Sequence, residues 1–322
     1  MGEGNDSLPH HKASGYLKIR DANPILQGIK DNLMRKYLHL TPIRVLLIYV
    51  TAAMALITQG GLMPARAADD PGDLMNYGFA VWVGSGIYKV KGVDKRFAVV
   101  RAPIAYTLRD AQYDEAAFRD RLGFRLLLPA IVAIEDETDA NFTFGSVAFV
   151  PGLEVQIPVN KYWTLKPFGQ FGAGKDTDGG DVQYIYGGGA RSLVSFPWKK
   201  FKFGIGNSII LAEDRDSGSD ERTGFSMLEA GLDVRHPIGL SFRNRALDAG
   251  VFFVVSRFFN RVDFLEDGGE TERVNRIYNI GVTLGPREPV SIWKVDFDRV
   301  GIDYRWGNSG FRGIGFNMGF PF

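Results

Sequence analysis

The sequence has no cysteine. That removes disulfides, thiolate nucleophiles and cysteine-based zinc sites together. Histidine is nearly as scarce. Of the 4 present, His10, His11 and His39 lie near the N-terminus, and His236 stands alone in the body of the chain. Neither sign of charge is in excess: 38 Lys and Arg face 37 Asp and Glu, a net of +1. No global basic field therefore points to nucleic acid. The body also lacks an apolar run of about 18 residues, the mark of a spanning helix. What the chain does have is glycine, 39 of 322 residues. Its length allows one large domain or two modest ones.

The N-terminal part carries a three-part pattern. Arg35, Lys36 and Arg44 form a positive front. Val45 to Ile57 is apolar apart from the hydroxyls of Tyr49 and Thr51. Ala65-Arg66-Ala67 then precedes Ala68-Asp69-Asp70. That is the grammar of a secretory signal peptide over residues 34–67, with Ala65 and Ala67 flanking the cleavage signal. An uncut signal anchor is the alternative. Residues 1–33 read as a disordered or over-extended N-terminal preamble, with Met34 as the expected start, or else as a long natural n-region. Residues 68–76 are a short lead-in, and 77–322 form the body.

From Tyr77 onward one pattern recurs: an alternating run, then a turn. In 200–211, Phe201, Phe203, Ile205, Ile209 and Leu211 share one face, and Lys200, Lys202, Gly204, Gly206 and Ser208 share the other. In 228–235, Leu228, Ala230, Leu232 and Val234 oppose Glu229, Gly231, Asp233 and Arg235. A period of two is a strand with two unlike sides. About twelve such runs are expected, near 77–90, 97–109, 122–134, 144–157, 162–174, 182–196, 200–212, 223–236, 247–258, 275–285, 299–307 and 311–322. Several are longer than the roughly 5–6 residues usual in soluble strands. Their length suits a bilayer-crossing barrel, which uses roughly 9–11 residues per strand.

The polar faces are rich in Gly with isolated charges: Arg101, Arg109, Arg125, Glu154, Lys166, Arg191, Lys200, Lys202, Glu229, Asp233, Arg235, Asp303 and Arg305. A solvated face would carry more Lys, Glu and Thr. Small residues with scattered opposite charges suit a crowded barrel lumen. The apolar faces place aromatics near strand ends: Tyr77, Phe79, Trp163, Tyr184, Tyr186, Tyr304 and Trp306. Such aromatics mark the two membrane boundaries. A spanning sheet must close, because lipid satisfies no backbone group. The expected fold is all-β, a transmembrane antiparallel β-barrel of about twelve strands. Long acidic loops are expected at 135–141, 175–181, 213–224 and 266–273, with short turns at 159–161 and 197–199. Residues 110–121 read as a short helix, and 286–298 has no reading. A soluble periplasmic β-protein is the competing fold reading.

The chain ends GIGFNMGFPF. Ile314, Phe316, Met318, Phe320 and Phe322 alternate with small or polar residues. Together with the signal peptide, this resembles the Gram-negative outer-membrane β-barrels. The resemblance implies that Phe316, Met318, Phe320 and Phe322 face lipid and are read by the barrel-assembly machinery. Pro321 departs from the pattern and belongs at a strand end. The chain looks most like a solitary autotransporter-type barrel without a passenger, because Ala68 to Asn76 is too short for one. It implies outer-membrane lipids and lipopolysaccharide as partners, a monomer, and no cofactor.

Enzymatic chemistry has little to stand on. Barrel enzymes of that superfamily rely on His with Ser, Asp or Glu, and His236 precedes Pro237 with no partner spacing. A lipid-modifying enzyme using His236 is the alternative function. Asp176 to Asp181 has spaced carboxylates around Gly but lacks a twelve-residue calcium loop, and no metal is expected. Gly187-Gly188-Gly189 lies inside a strand run and is no phosphate loop. The leading expectation is a narrow pore or a structural surface protein. An open pore with this cation excess would weakly prefer anions.

Overall fold

A computed structural model describes residues 81–89, 96–113, 121–136, 142–177, 182–218, 222–265, 271–292 and 295–322. The readings made for residues 1–33, for the signal peptide with Ala65 and Ala67, for the lead-in 68–76, and for Tyr77 and Phe79 lie outside those residues.

Among the described residues fifteen strands form one antiparallel sheet. They are β1 (Ser85–Lys89), β2 (Arg96–Arg109), β3 (Gly123–Asp136), β4 (Phe142–Phe149), β5 (Gly152–Pro158), β6 (Trp163–Asp176), β7 (Val182–Trp198) and β8 (Phe201–Asp216). There follow β9 (Arg222–Phe242), β10 (Arg245–Leu265), β11 (Thr271–Pro286), β12 (Val290–Ile292), β13 (Val295–Phe297), β14 (Val300–Gly307) and β15 (Arg312–Asn317). The sheet closes where β15 pairs with β1, Phe316 opposite Ser85 and Arg312 opposite Lys89. β4 and β5 are one wall strand interrupted at Val150-Pro151, since both lie between β3 and β6. Pro151 has no N–H to give the ladder. β12 and β13 are a side hairpin. Twelve wall strands therefore make a closed barrel.

Closure has a weak place. β1 pairs with β2 only from Gly86 to Lys89. The rest of β2 would be a bare edge, which lipid cannot satisfy. Three local devices cover it. Ser85 Oγ bonds both the carbonyl and the N–H of Arg101, at 3.0 and 2.9 Å. Pro103 has no N–H to leave unpaired. Val295 of β13 pairs with Tyr106. The segment 286–298, which carried no reading in the sequence, thus supplies part of the wall.

Two expectations change here. The run 77–90 is not a strand throughout: residues 81–83 form a helical turn, and the strand begins at Ser85. The acidic loops are shorter than expected, because the ladders continue into them. Glu213 pairs with Gly224 and Arg215 with Arg222. Hydrogen bonding across the hairpin outweighs the loop-like composition. Of the expected helix at 110–121, residues 114–120 lie outside the described ones, and a Gln112–Arg121 bridge closes the base of that connection.

The wall has two unlike faces. Phe171, Leu211, Val251, Ile302, Ile314 and Phe316 point outward and are exposed. Glu154, Ser208, Asp233, Asp303 and Arg305 point inward and are buried. An exposed apolar belt around a closed barrel is stable only in lipid, because water would penalise it at about 25 cal/mol per Å². Outward aromatics cluster along one side: Tyr278 stacks on Trp306 at 5.5 Å, and Trp306 on Tyr304 at 5.8 Å.

Candidate functional site

Among the described residues, charged side chains converge in the lumen. Inward positions on neighbouring strands lie side by side, so the register itself builds a belt. Arg125 sits opposite Glu154, and Lys166 opposite Arg191. Arg191 sits opposite Ser208, and Ser208 opposite Glu229. Glu154 receives Arg191 at 3.1 Å, lies 3.8 Å from Arg125, and accepts a hydrogen bond from Gln156 at 3.2 Å. The Arg191 guanidinium also lies over the Phe168 ring at 4.0 Å. Glu229 accepts hydrogen bonds from Ser208 at 2.8 Å and Ser256 at 3.0 Å. Arg101 faces the same space from β2. On the far side, Arg305 donates to Asp303 at 2.6 Å and to the Tyr88 hydroxyl at 2.7 Å. It also donates to the carbonyl of Val83. Asn317 completes that group by donating to Asp303 at 3.0 Å.

Towards the short turns a second network fills the lumen. Arg299 makes a two-pronged contact with Asp233 at 2.8 and 2.7 Å and also donates to Thr283 at 3.0 Å. Arg235 holds Asp298 in the same forked way, at 2.9 and 2.7 Å, and reaches Asp233 at 3.2 Å. Two guanidiniums and two carboxylates thus neutralise one another with most polar atoms satisfied. Paired charges of this kind are tolerable inside, whereas one left alone is not. Asp298 was missed in the sequence because it follows the side hairpin, and Arg299 because it opens the run 299–307 just before the ladder of β14 begins at Val300. Asp248, held by Arg287 at 3.2 Å, was missed for lack of any local signal.

Towards the loops the lumen is apolar. Val99, Ile131, Ile185, Ile210, Phe225, Met227 and Phe311 form a buried cluster with Val81 and Trp82. The helical turn 81–83 lies within it. Trp82 meets Phe225 edge-on at 6.1 Å and occupies the space where a Cβ on Gly187 would stand. So Gly187, read as strand glycine, makes room for an indole.

Three charged positions depart from the lumen reading. Arg109 turns to the outer side: a register shift between Thr107 and Arg109 puts it beside Phe124, and its guanidinium lies over that ring at 4.7 Å. The bulge reverses the alternation. Lys200 lies in the two-residue turn between Trp198 and Phe201. Lys202 faces inward beside Arg235 but is exposed at the mouth. With Asp248 and Asp298 added, the cationic excess inside largely disappears.

The C-terminal aromatics also need correction. Phe316 is 69% exposed and Met318 58%, on the outer face as expected. Phe322 is 7% exposed and does not face lipid. The ladder stops at Asn317, Gly319 adopts a positive φ of 117°, and the tail bends into the lumen. Phe320 and Phe322 contact each other at 4.8 Å, and Phe322 packs with Phe252 and Val254. Its ring lies against Gly206 and Gly231, where any side chain would collide with it. Burying two rings against bare strand backbone is worth more than continuing the ladder over the last five residues.

His236 is exposed on the outer face, its ring 4.8 Å from that of Phe201. Asp233, three residues earlier, faces inward and is occupied by Arg299. Among the described residues no group of three or more His, Asp or Glu could hold a metal ion. Residues 178–181 of the acidic Gly loop lie outside those described.

A closed twelve-stranded antiparallel barrel with an apolar outer belt defines the class: a transmembrane β-barrel. No family model matches the sequence, and no curated protein does. Solved structures do match. The β domain of the Bordetella autotransporter BrkA aligns with a TM-score of 0.46 at 12% identity, covering 73% of this chain and 96% of that one. LpxR from Salmonella typhimurium aligns with a TM-score of 0.37 at 10% identity, covering 70% of this chain and 88% of that one.

Proposed function

We propose that the protein is an integral outer-membrane barrel whose lumen is closed by its own side chains, serving as a structural surface protein rather than an open pore. One observation carries this reading: the lumen is filled at three levels. Trp82 and its apolar neighbours fill the loop half. The Glu154–Arg191 and Asp303–Arg305 groups span the middle. The Asp233–Arg299–Asp298–Arg235 group and the Phe322 tail fill the turn end. A conducting lumen needs a continuous wet path, and paired charges with packed rings at three levels oppose one. The short turns between β5 and β6, β7 and β8, and β9 and β10 belong on the periplasmic side, as in barrels generally.

The test is a planar-bilayer recording of the refolded protein alongside a heat-modifiability gel. A heat-shifted band with a silent bilayer is the expected result. Steady, discrete current steps from the unmodified protein would sink the closed-lumen reading while keeping the barrel.

A further inference from the structure

The middle of the lumen carries more positive charge than its carboxylates balance. Arg305 is taken by Asp303 at 2.6 Å. Among the described residues of the belt, that leaves Arg101, Arg125, Lys166 and Arg191 against Glu154 and Glu229. Asp248 and Asp298 offset the inward cations elsewhere, but they are held at the turn end by Arg287 and Arg235.

Two of these cations have no partner among the described residues. The Arg101 Nε is buried and makes no hydrogen bond. The charges that act on Arg101 are those of Arg191, Glu229 and Arg305, and two of the three are positive. The Glu229 carboxylate is held instead by the hydroxyls of Ser208 and Ser256. The charges that act on Lys166 are those of Glu154, Arg125, Arg191 and Asp298. Glu154 is taken by Arg191 and Arg125, and Asp298 by Arg235. Arg191 acts on both Arg101 and Lys166 and so links them.

The packing adds an independent observation. Inside a closed wall, the side chain of Arg125 keeps 22% of its surface free and that of Arg191 15%, beside a Glu154 at 4%. The belt therefore borders a space. A buried cation without a counter-charge is costly, and like charges gathered in a low-dielectric space repel. A space beside such a group is where an anion would sit.

We infer that this space binds hydrogen phosphate, held by Arg101, Lys166 and the donors of Arg191 that Glu154 leaves unused. The inference rests on the barrel reading above, which puts the belt inside the lumen. The planar fork of a guanidinium matches two oxygens of an oxyanion. A doubly charged anion matches an excess of four cations over two carboxylates. Glu229 selects among oxyanions, because its carboxylate accepts a hydrogen bond from a protonated phosphate oxygen. Sulfate has no such proton. The wall excludes lipid, so the phosphate is a free anion rather than a headgroup.

The full chain would be refolded in detergent with labelled inorganic phosphate, and binding followed by equilibrium dialysis on protein that gives a heat-shifted band. Saturable binding is expected, with little displacement by an equal concentration of sulfate. Arg101→Met and Lys166→Met should each weaken it about tenfold or more, the effect of losing one hydrogen bond from a charged donor. Should one of them give no heat-shifted band, the other decides. Lys200→Gln, in a surface turn, should leave binding unchanged. No saturable binding by the unmodified, heat-shifted protein overturns the site alone. Equal displacement by sulfate, or binding that survives the Met changes, does the same. Absence of a heat-shifted band in the unmodified protein overturns the barrel and the site together.

Discussion

The two halves of the lumen are built from the same inward positions of the same strands, yet they are closed by opposite means. On β9, Phe225 and Met227 face in towards the loop end, and Asp233 and Arg235 face in towards the turn end. The loop half is sealed by apolar packing around Trp82. The turn half is sealed by forked ion pairs and a folded-in tail. Apolar packing resists loss in proportion to the volume removed. A buried ion network resists badly when one member is lost, because the remaining charge has no water to turn to. The halves should therefore fail differently.

The largest effect should come from the charged half. Asp233→Ala takes both forked contacts from the buried Arg299 and leaves it only the longer one to Asp298, at 3.4 Å, and should cost about 3–5 kcal/mol. Urea unfolding of the refolded barrel in vesicles measures it. A loss below about 1 kcal/mol would mean that water reaches the network and that this half is wet. Next comes Trp82→Ala in the apolar half, expected to cost about 3 kcal/mol through the cavity it leaves. That change should not open the barrel to ions, because the ion belt below stays intact. A bilayer recording of the variant checks this.

Phe322→Ala should cost less, about 2 kcal/mol, because the ring packs against β8, β9 and β10 on one side of the lumen. Combined with Trp82→Ala it removes both hydrophobic stoppers, and intermittent current steps should then appear. Silence in the double variant would show that the ion belt alone seals the lumen. The smallest effect belongs to the outer face. His236→Ala should change stability by no more than about 0.5 kcal/mol. It should also leave any activity towards lipid A or phospholipid at the level of the unmodified protein. A lost activity on that change would revive the enzymatic reading.

Most of the wall was legible because alternation is a local signal. Wherever a strand has lipid on one side and packed side chains on the other, the period of two is enforced residue by residue. That made Glu154, Arg191, Glu229, Asp233, Asp303 and Arg305 readable as inward. Arg109 was misread because a single-residue bulge reverses the period without leaving a mark in composition. The tail was misread because Phe320 and Phe322 continue the alternation perfectly up to Phe322. Only the bare backbone of Gly206 and Gly231, far earlier in the chain, offers those rings a better place.

The sequence by itself determined the class of protein: the alternating runs, their lengths, their Gly-rich inner faces and the even number of wall strands all follow from side-chain period. Tertiary structure alone decided what fills the barrel. Whether Trp82 enters the lumen, whether Arg299 finds Asp233, and whether the tail folds in all depend on contacts between residues far apart in the chain. Those contacts form only after closure brings opposite walls within reach.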